Sequence, residues 1–182
     1  MDHPEILIHL TDRIGLRAFR LSDSDDLVSG LNDWQVTRWL ANVPHPYRID
    51  HAKAFLARPE HRSVDAGVDD ARAPLSLALC HDGRVMGGVS LMPSSRRKGA
   101  RDLGFWMSRP FWGQGIMRRA VQSVIDHVTL QAPDTFVVAS ANHDNLRSQR
   151  VIRALGFVED GHDEIYSKPL QRPVRTVCFR QA

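Results

Sequence analysis

Apolar and polar positions alternate first over residues 13–19, where Ile14, Leu16 and Ala18 oppose Arg13, Gly15 and Arg17. That period of two predicts a half-buried strand. Ser22 and Asp23 offer a cap for a helix over 23–32, and a second helical piece runs from Trp34 to Leu40. The proline-broken segment 41–50 follows, and Asp50 can cap a short helix over 51–57. Residues 58–73 are polar and charged and predict a mobile surface loop. Leu75 to Cys80 and Val85 to Met92 are strand-like runs around the hairpin signal His81-Asp82-Gly83-Arg84. Gly87-Gly88 within the second run marks a bulge or a close backbone approach.

The central pattern is 100–120, ARDLGFWMSRPFWGQGIMRRA. Leu103, Phe105 and Met107 alternate along a strand that Pro110 ends. After Trp112-Gly113-Gln114-Gly115, apolar residues recur every four positions at Ile116, Ala120, Val124 and Val128, with Val121 and Ile125 widening the stripe. Strand, glycine turn and helix start in that order point backbone N–H groups at one spot. The helix dipole favours an anion such as a pyrophosphate there, and the same order also reads as an ordinary turn before a helix. The spacing is not that of a P-loop, and Arg118 stands where a dinucleotide fingerprint needs its third glycine. Thr135 to Ser140 reads as a buried strand. Asp144 can cap a helix that ends at Leu155 with Gly156 as its C′ residue. Strands over 157–161 and 174–180 follow, with 163–170 paired to one of them. The sum is about seven strands and four helices in mixed order. The 103–140 strand–helix–strand unit requires a parallel pair.

The chain has 182 residues and a net charge of +3, and suits one domain spanning 1–182 with a full core. The small positive balance favours anionic ligands without implying nucleic acid, and no DNA partner is expected. No apolar run reaches the about eighteen residues needed to span a bilayer. The opening MDHPEILIHL lacks a basic n-region, so a cytoplasmic protein with no membrane partner is expected. Cys80 and Cys178 lie in strand-like runs and read as buried small hydrophobes. The histidines show no ligand spacing, and no metal is expected.

Three segments together resemble the GNAT superfamily of N-acetyltransferases, and within it the branch that acetylates N-terminal amines of ribosomal proteins. They are IGLRAFRLSDSDDL with the later VPHPYRIDHAKAFL; DLGFWMSRPFWGQGIMRRAV; and Asn145-Leu146-Arg147-Ser148 before VIRALGF. The resemblance covers about residues 13–160. It implies an α+β (mixed α/β) three-layer fold with a mostly antiparallel sheet, whose parallel strands 4 and 5 splay around the pantetheine of acetyl-CoA. It further implies that the Phe105, Trp106 and Met107 backbones meet the pantetheine amides. Trp112, Gly113, Gln114, Gly115, Ile116 and Met117 would form the pyrophosphate loop. Asn145 would bind pantetheine, and Ser148 would sit near the thioester sulfur.

The chain departs from the pattern at Met117, bulkier than the family's Gly or Ala. It also carries Arg118-Arg119 where the branch has Thr-Glu, and Ile152 where many members place a tyrosine acid.

Acetyl transfer needs a neutral amine. An α-amine of pKa near 7.8 is on the order of one-tenth neutral at pH 7, a lysine only about one part in two thousand five hundred. No strong base is evident, which suits a protein N-terminal α-amine, with a small-molecule amine (polyamine, amino acid, aminoglycoside) as the alternative acceptor. Asp102 is the candidate base or amine anchor, and reads also as a solvated acid beside Arg101. Ser148 is the candidate for protonating the leaving thiolate, and reads also as a helix serine bonded to its own backbone. Trp34, Trp39, Pro46 and Tyr47 fall where the resemblance places the acceptor wall, or form simple core packing. His143 and Tyr166 are weaker proton carriers. Arg96-Arg97-Lys98 is a solvated turn or an attractor for an acidic substrate. A ping-pong route through Cys80 lacks a neighbour that would lower its pKa, apart from His81. A monomer or homodimer is expected. A non-catalytic CoA-binding module and a nucleic-acid-binding domain are the rival classes.

Overall fold

The computed structural model describes residues 6–58 and 73–182; the loop expected over 58–73 lies almost wholly outside them. Eight strands form one sheet in the order β1-β2-β3-β4-β5-β6-β8-β7. They are β1 (Ile8–His9), β2 (Ile14–Ala18), β3 (Leu75–His81), β4 (Arg84–Pro93), β5 (Ala100–Met107), β6 (Phe136–Asn142), β7 (Phe157–Ser167) and β8 (Arg172–Gln181). The helices are α1 (Ser24–Leu31), α2 (Trp34–Thr37), α3 (Ile49–Leu56), α4 (Ile116–Gln131) and α5 (Leu146–Ala154).

Only β5 and β6 run parallel, from Ala100↔Phe136 to Leu103↔Ala139. The crossover through α4 that the pattern demanded is present. α4 buries Ile116, Ala120, Val121, Val124, Ile125 and Val128 against one face of the sheet. The apolar stripe therefore works as the periodicity predicts. On the other face α1–α3 cover Ala78, Cys80 and Val85 together with Trp106. The β3–β4 turn holds Asp82 at φ 49° and Gly83 at φ 80°, the positive pair that a two-residue hairpin requires.

Several local expectations are corrected. The two-residue β1 pairs with β2 and makes eight strands, not seven. β7 is one continuous strand to Ser167 paired along β8, not a strand ending at 161 plus another piece. Both of its faces are exposed from Val158 to Glu164, so apolar alternation is absent and pairing with β8 holds it.

Asp23 makes no side-chain cap to α1; it accepts from the Arg20 N–H at 2.8 Å and pairs with Arg17. Arg17 is 2% exposed, so β2 is buried on both faces and not half-buried. α2 stops at Thr37 and gives way to turns. Arg48, not Asp50, is the N-cap of α3, and its N–H donates to His51 Nδ1 at 3.1 Å. Asn145, not Asp144, caps α5.

Gly87 and Gly88 do mark a close approach. A Cβ on Gly87 would lie 2.5 Å from the Trp106 carbonyl oxygen, and one on Gly88 2.9 Å from Trp106 Nε1. The β3–β4 register also shifts beside them, since Leu79 pairs with Gly87 and Cys80 with Val85, leaving Met86 as the extra residue. Cys178 is only partly buried and lies 3.4 Å from Arg96 Nη1.

Candidate active site

Beyond Leu103 and Ala139, β5 and β6 no longer pair. The β6-facing edge of Gly104–Met107 is therefore open. This gap floors a cavity of about 620 Å³. Side chains alternate across β5, so Leu103, Phe105 and Met107 face α4 while Gly104 and Trp106 face α1–α3. The cavity takes in residues from both sides, from the glycine loop to the segment after α2.

On the α4 side the walls are Trp112, Gly113, Gly115, Met117, Asn145 and Ser148, with Arg118, Arg147 and Arg150 at the rim. Gly113 and Gly115 sit at φ +79° and +70°, and a Cβ on either would meet nothing within 4 Å. Against the protein itself their requirement is conformational, not steric. Gly115 is the N-cap of α4 and supplies no side-chain cap, so the first N–H groups of the helix are left for a ligand. Trp112 Nε1 donates to the Met107 carbonyl at 2.6 Å, which engages that expected pantetheine partner. Arg147 stacks over the Trp112 ring at 4.8 Å.

The side chain of Ile116 is buried, so only its backbone can serve the loop. Gln114 turns its Nε2 toward the Pro110 carbonyl, 3.3 Å away. Met117 lines the cavity but is only 6% exposed and packs in the core.

Asn145 and Ser148 are locked together. Asn145 Nδ2 donates to Ser148 Oγ at 2.8 Å, and the Ser148 N–H donates to Asn145 Oδ1 at 3.3 Å. With its oxygen occupied by a donor, the Ser148 hydroxyl keeps its own hydrogen to give away.

On the other side Arg38, Trp39 and Asn42 face Ser140, Asn142 and Thr176. Of the expected acceptor wall only Trp39 reaches the cavity. Trp34 stacks on His45 at 5.0 Å. Tyr47 is 5% exposed in the second core cluster, and burial pushes its phenol up to about 12, too high for a base at neutral pH.

Asp102 does not line the cavity. It precedes Gly104 on the still-paired part of β5, opposite Val138, and its carboxylate is held by Arg96. Arg97 is tied to Asp160 and stacks on Phe136, so the basic turn is braced against the sheet. His143 and Tyr166 are exposed and do not line the cavity either. Among the described residues no group of three or more His, Cys, Asp or Glu could hold a metal ion, and no helix is long and apolar enough to cross a membrane.

Burial pushes the Cys80 thiol up to about 11, leaving little thiolate at neutral pH. The Cys80→Ala variant is expected to retain turnover within about threefold and to lose mainly stability, about 1 kcal/mol from the small cavity. Loss of all turnover in a folded Cys80→Ala protein would restore the covalent route.

Of the residues missed in the sequence, Ser140, Asn142 and Thr176 are brought together by strand register, and Arg38 comes from the C-cap of α2. Asn142 opposes Thr176 across β6 and β8, a pairing that no local pattern encodes.

Known proteins share this architecture. A Bacillus licheniformis protein named "Uncharacterized N-acetyltransferase p20" is 22% identical over 169 residues, 93% of this chain and 92% of its own length. The ribosomal-protein-S5-alanine acetyltransferase of Vibrio fischeri superposes with a TM-score of 0.72 at 20% identity, covering 93% of this chain and 94% of that one. The Microcin C7 self-immunity acetyltransferase MccE, solved with acetyl-CoA and AMP, gives 0.72 at 17% identity, covering 94% and 93%. The family described as "Acetyltransferase (GNAT) domain" matches residues 13–158. The chain therefore belongs to the GNAT family, enzymes that take the acetyl group from acetyl-CoA.

Proposed function

We propose that this enzyme acetylates an α-amine, in the first instance a protein N-terminus, by direct attack in a ternary complex in the cytoplasm. The observation that carries the reading is the make-up of the cavity wall. Among the described residues lining it there is no Asp, Glu, His, Lys, Tyr or Cys. With no side chain placed to take a proton, the amine must arrive neutral. That favours an α-amine near pKa 7.8 over a lysine near 10.4.

The open edge of Gly104–Met107, the two positive-φ glycines and the rim arginines fit an extended ligand that ends in phosphates. Acetyl-CoA, when bound, supplies the acyl thioester. Backbone N–H groups along the open edge of β5 polarise a carbonyl laid against them. Asn145 fixes the Ser148 hydroxyl so that its hydrogen can go to a departing sulfur. Asp102 keeps at most a positioning role through Arg96, because it lies off the cavity.

Similarity to both a ribosomal-protein acetyltransferase and MccE keeps a small-molecule amine as the second reading.

The test is thiol release from acetyl-CoA with N-terminal peptides beside polyamines, amino acids and lysine-only peptides. The reading expects Ala- or Ser-starting peptides to lead. It also expects kcat/KM to rise with pH and level off at the pKa of the acceptor's own amine, moving when that pKa is changed. A plateau fixed at one pH across amines of different pKa would reveal an enzyme base and sink the reading. Preference for a polyamine would replace the acceptor class.

A further inference from the structure

The acceptor side of the cavity carries one charged side chain among its described lining residues, Arg38. None of the ion pairs among the described residues includes it. Its guanidinium stacks on Trp39, 4.6 Å from the ring centroid. Its Nε is buried without a hydrogen-bond partner.

The segment is also held in place. Val36 is buried beneath it, the Thr37 hydroxyl donates to the Leu31 carbonyl, and the Lys168 N–H donates to the Ala41 carbonyl at 2.8 Å. That last bond ties the segment after α2 to the β7–β8 turn, across the cavity from β5. Arg38 is thus a fixed positive fork in a wall with no carboxylate to neutralise it. A polyamine or aminoglycoside would meet like charge there, with nothing to pair its ammonium groups.

We infer that Arg38 reads a carboxylate carried by the acceptor a few bonds from its reacting amine. One guanidinium offers one planar fork and one unit of charge, which matches a carboxylate. Two acceptors carry that group: a protein N-terminus with Asp or Glu in its first residues, and a free amino acid through its α-carboxylate. The inference rests on the acetyltransferase reading above, but not on its choice of a protein N-terminus.

The experiment compares matched pairs, Ser-Glu against Ser-Gln peptides and free amino acids against their amides, with kcat/KM expressed per neutral amine because amidation lowers the pKa of the α-amine beside it. Each pair is measured by kcat/KM, and by calorimetric binding to the CoA-loaded protein, in wild type, Arg38→Gln and Arg38→Lys. The wild type is expected to favour the acidic member of one pair by about ten- to hundredfold, mostly through KM. Arg38→Gln abolishes that preference and Arg38→Lys keeps part of it, while both variants retain the thermal shift with CoA that reports an intact fold. The pair that shows the preference identifies the source of the carboxylate. Equal binding within both pairs in the wild type overturns the inference, as does a preference that survives in Arg38→Gln. Failure of every peptide as an acceptor would instead remove the N-terminal reading, and the amino-acid pair would still decide the role of Arg38.

Discussion

Arg17→Ala is expected to destabilise the protein by about 3–5 kcal/mol, as is Asp23→Ala. At this chain length that lowers Tm by roughly 6–20 °C. The two side chains are 3% and 5% exposed, and meet through two bonds of 2.8 Å. Arg17 also donates to the carbonyls of Ala18 at 2.9 Å and Gly83 at 3.0 Å. Asp23 takes the Arg20 N–H as well. Removing either partner leaves a buried charge unmatched, and that penalty exceeds the net worth of the pair. The double replacement Arg17→Met with Asp23→Leu is therefore expected to cost less than either single alanine. Denaturant unfolding of the three variants measures this. Single-variant losses under 1 kcal/mol would mean that water reaches the pair. The effect extends to the site, because the pair ties β2 and the β3–β4 turn to the start of α1. Gly30 of that helix lies against Trp106, where an added Cβ would stand 2.8 Å from the indole, and Trp106 lines the cavity.

The buried pair also shows where sequence patterns stop being informative. Arg17 reads as a solvent-facing position because it alternates with Leu16 and Ala18. Its burial comes from α1–α3 covering the second face of the sheet, a tertiary event with no local trace. The β5–glycine–α4 unit was legible for the opposite reason. Its strand period, its two glycines and its four-residue stripe are all local, and each agrees with the next. The hairpin at Asp82-Gly83 and the end of α5 at Gly156, φ +85°, were legible in the same way. Caps were less so: Asp23, Asp50 and Asp144 are sound cap residues by type. Yet Asp23 is engaged by Arg17, and Arg48 and Asn145 hold the other two N-cap positions.

The site divides along the same line. The α4 side, where the reading above places phosphates and pantetheine, is built from two short stretches, 103–118 and 145–151, and the family resemblance picks out residues in both. The opposite side, where the same reading places the amine, is assembled from α2 and the segment after it, β6, β7 and β8. There the aromatic side chains Trp34 and Tyr47 misled. Large apolar rings in a helical region serve a core as well as a ligand, and Tyr47 belongs to the core. Asp102 misled because an acid at the start of a strand carries no sign of the Arg96 that occupies it. The polar groups that do face the cavity, Ser140, Asn142 and Thr176, sit inside β-branched or apolar runs, where alternation alone marks them as ordinary surface.

Gly115→Val is expected to weaken acetyl-CoA binding by at least about tenfold and to lower the stability of the free protein by about 1–2 kcal/mol. Gly115 stands at φ +70° and ψ 0°, a conformation that a β-branched residue reaches only under strain. The protein can relieve that strain by turning the loop, and turning it re-aims the first N–H groups of α4 away from a common point. Binding suffers more than folding, because an added Cβ meets no protein atom within 4 Å and the core contacts of Ile116 and Met117 can persist. Gly115→Asn separates the two roles a glycine can have here. Asparagine tolerates positive φ but carries a Cβ. If conformation is what the loop requires, Gly115→Asn keeps most of the affinity that Gly115→Val loses. If the ligand itself lies against the Cα, both variants lose it alike. Calorimetric titration of acetyl-CoA into the three proteins decides between these outcomes. A Gly115→Val protein that binds like the wild type would show that the glycine turn does not cradle the phosphates, and the α4 side of the cavity would need another occupant.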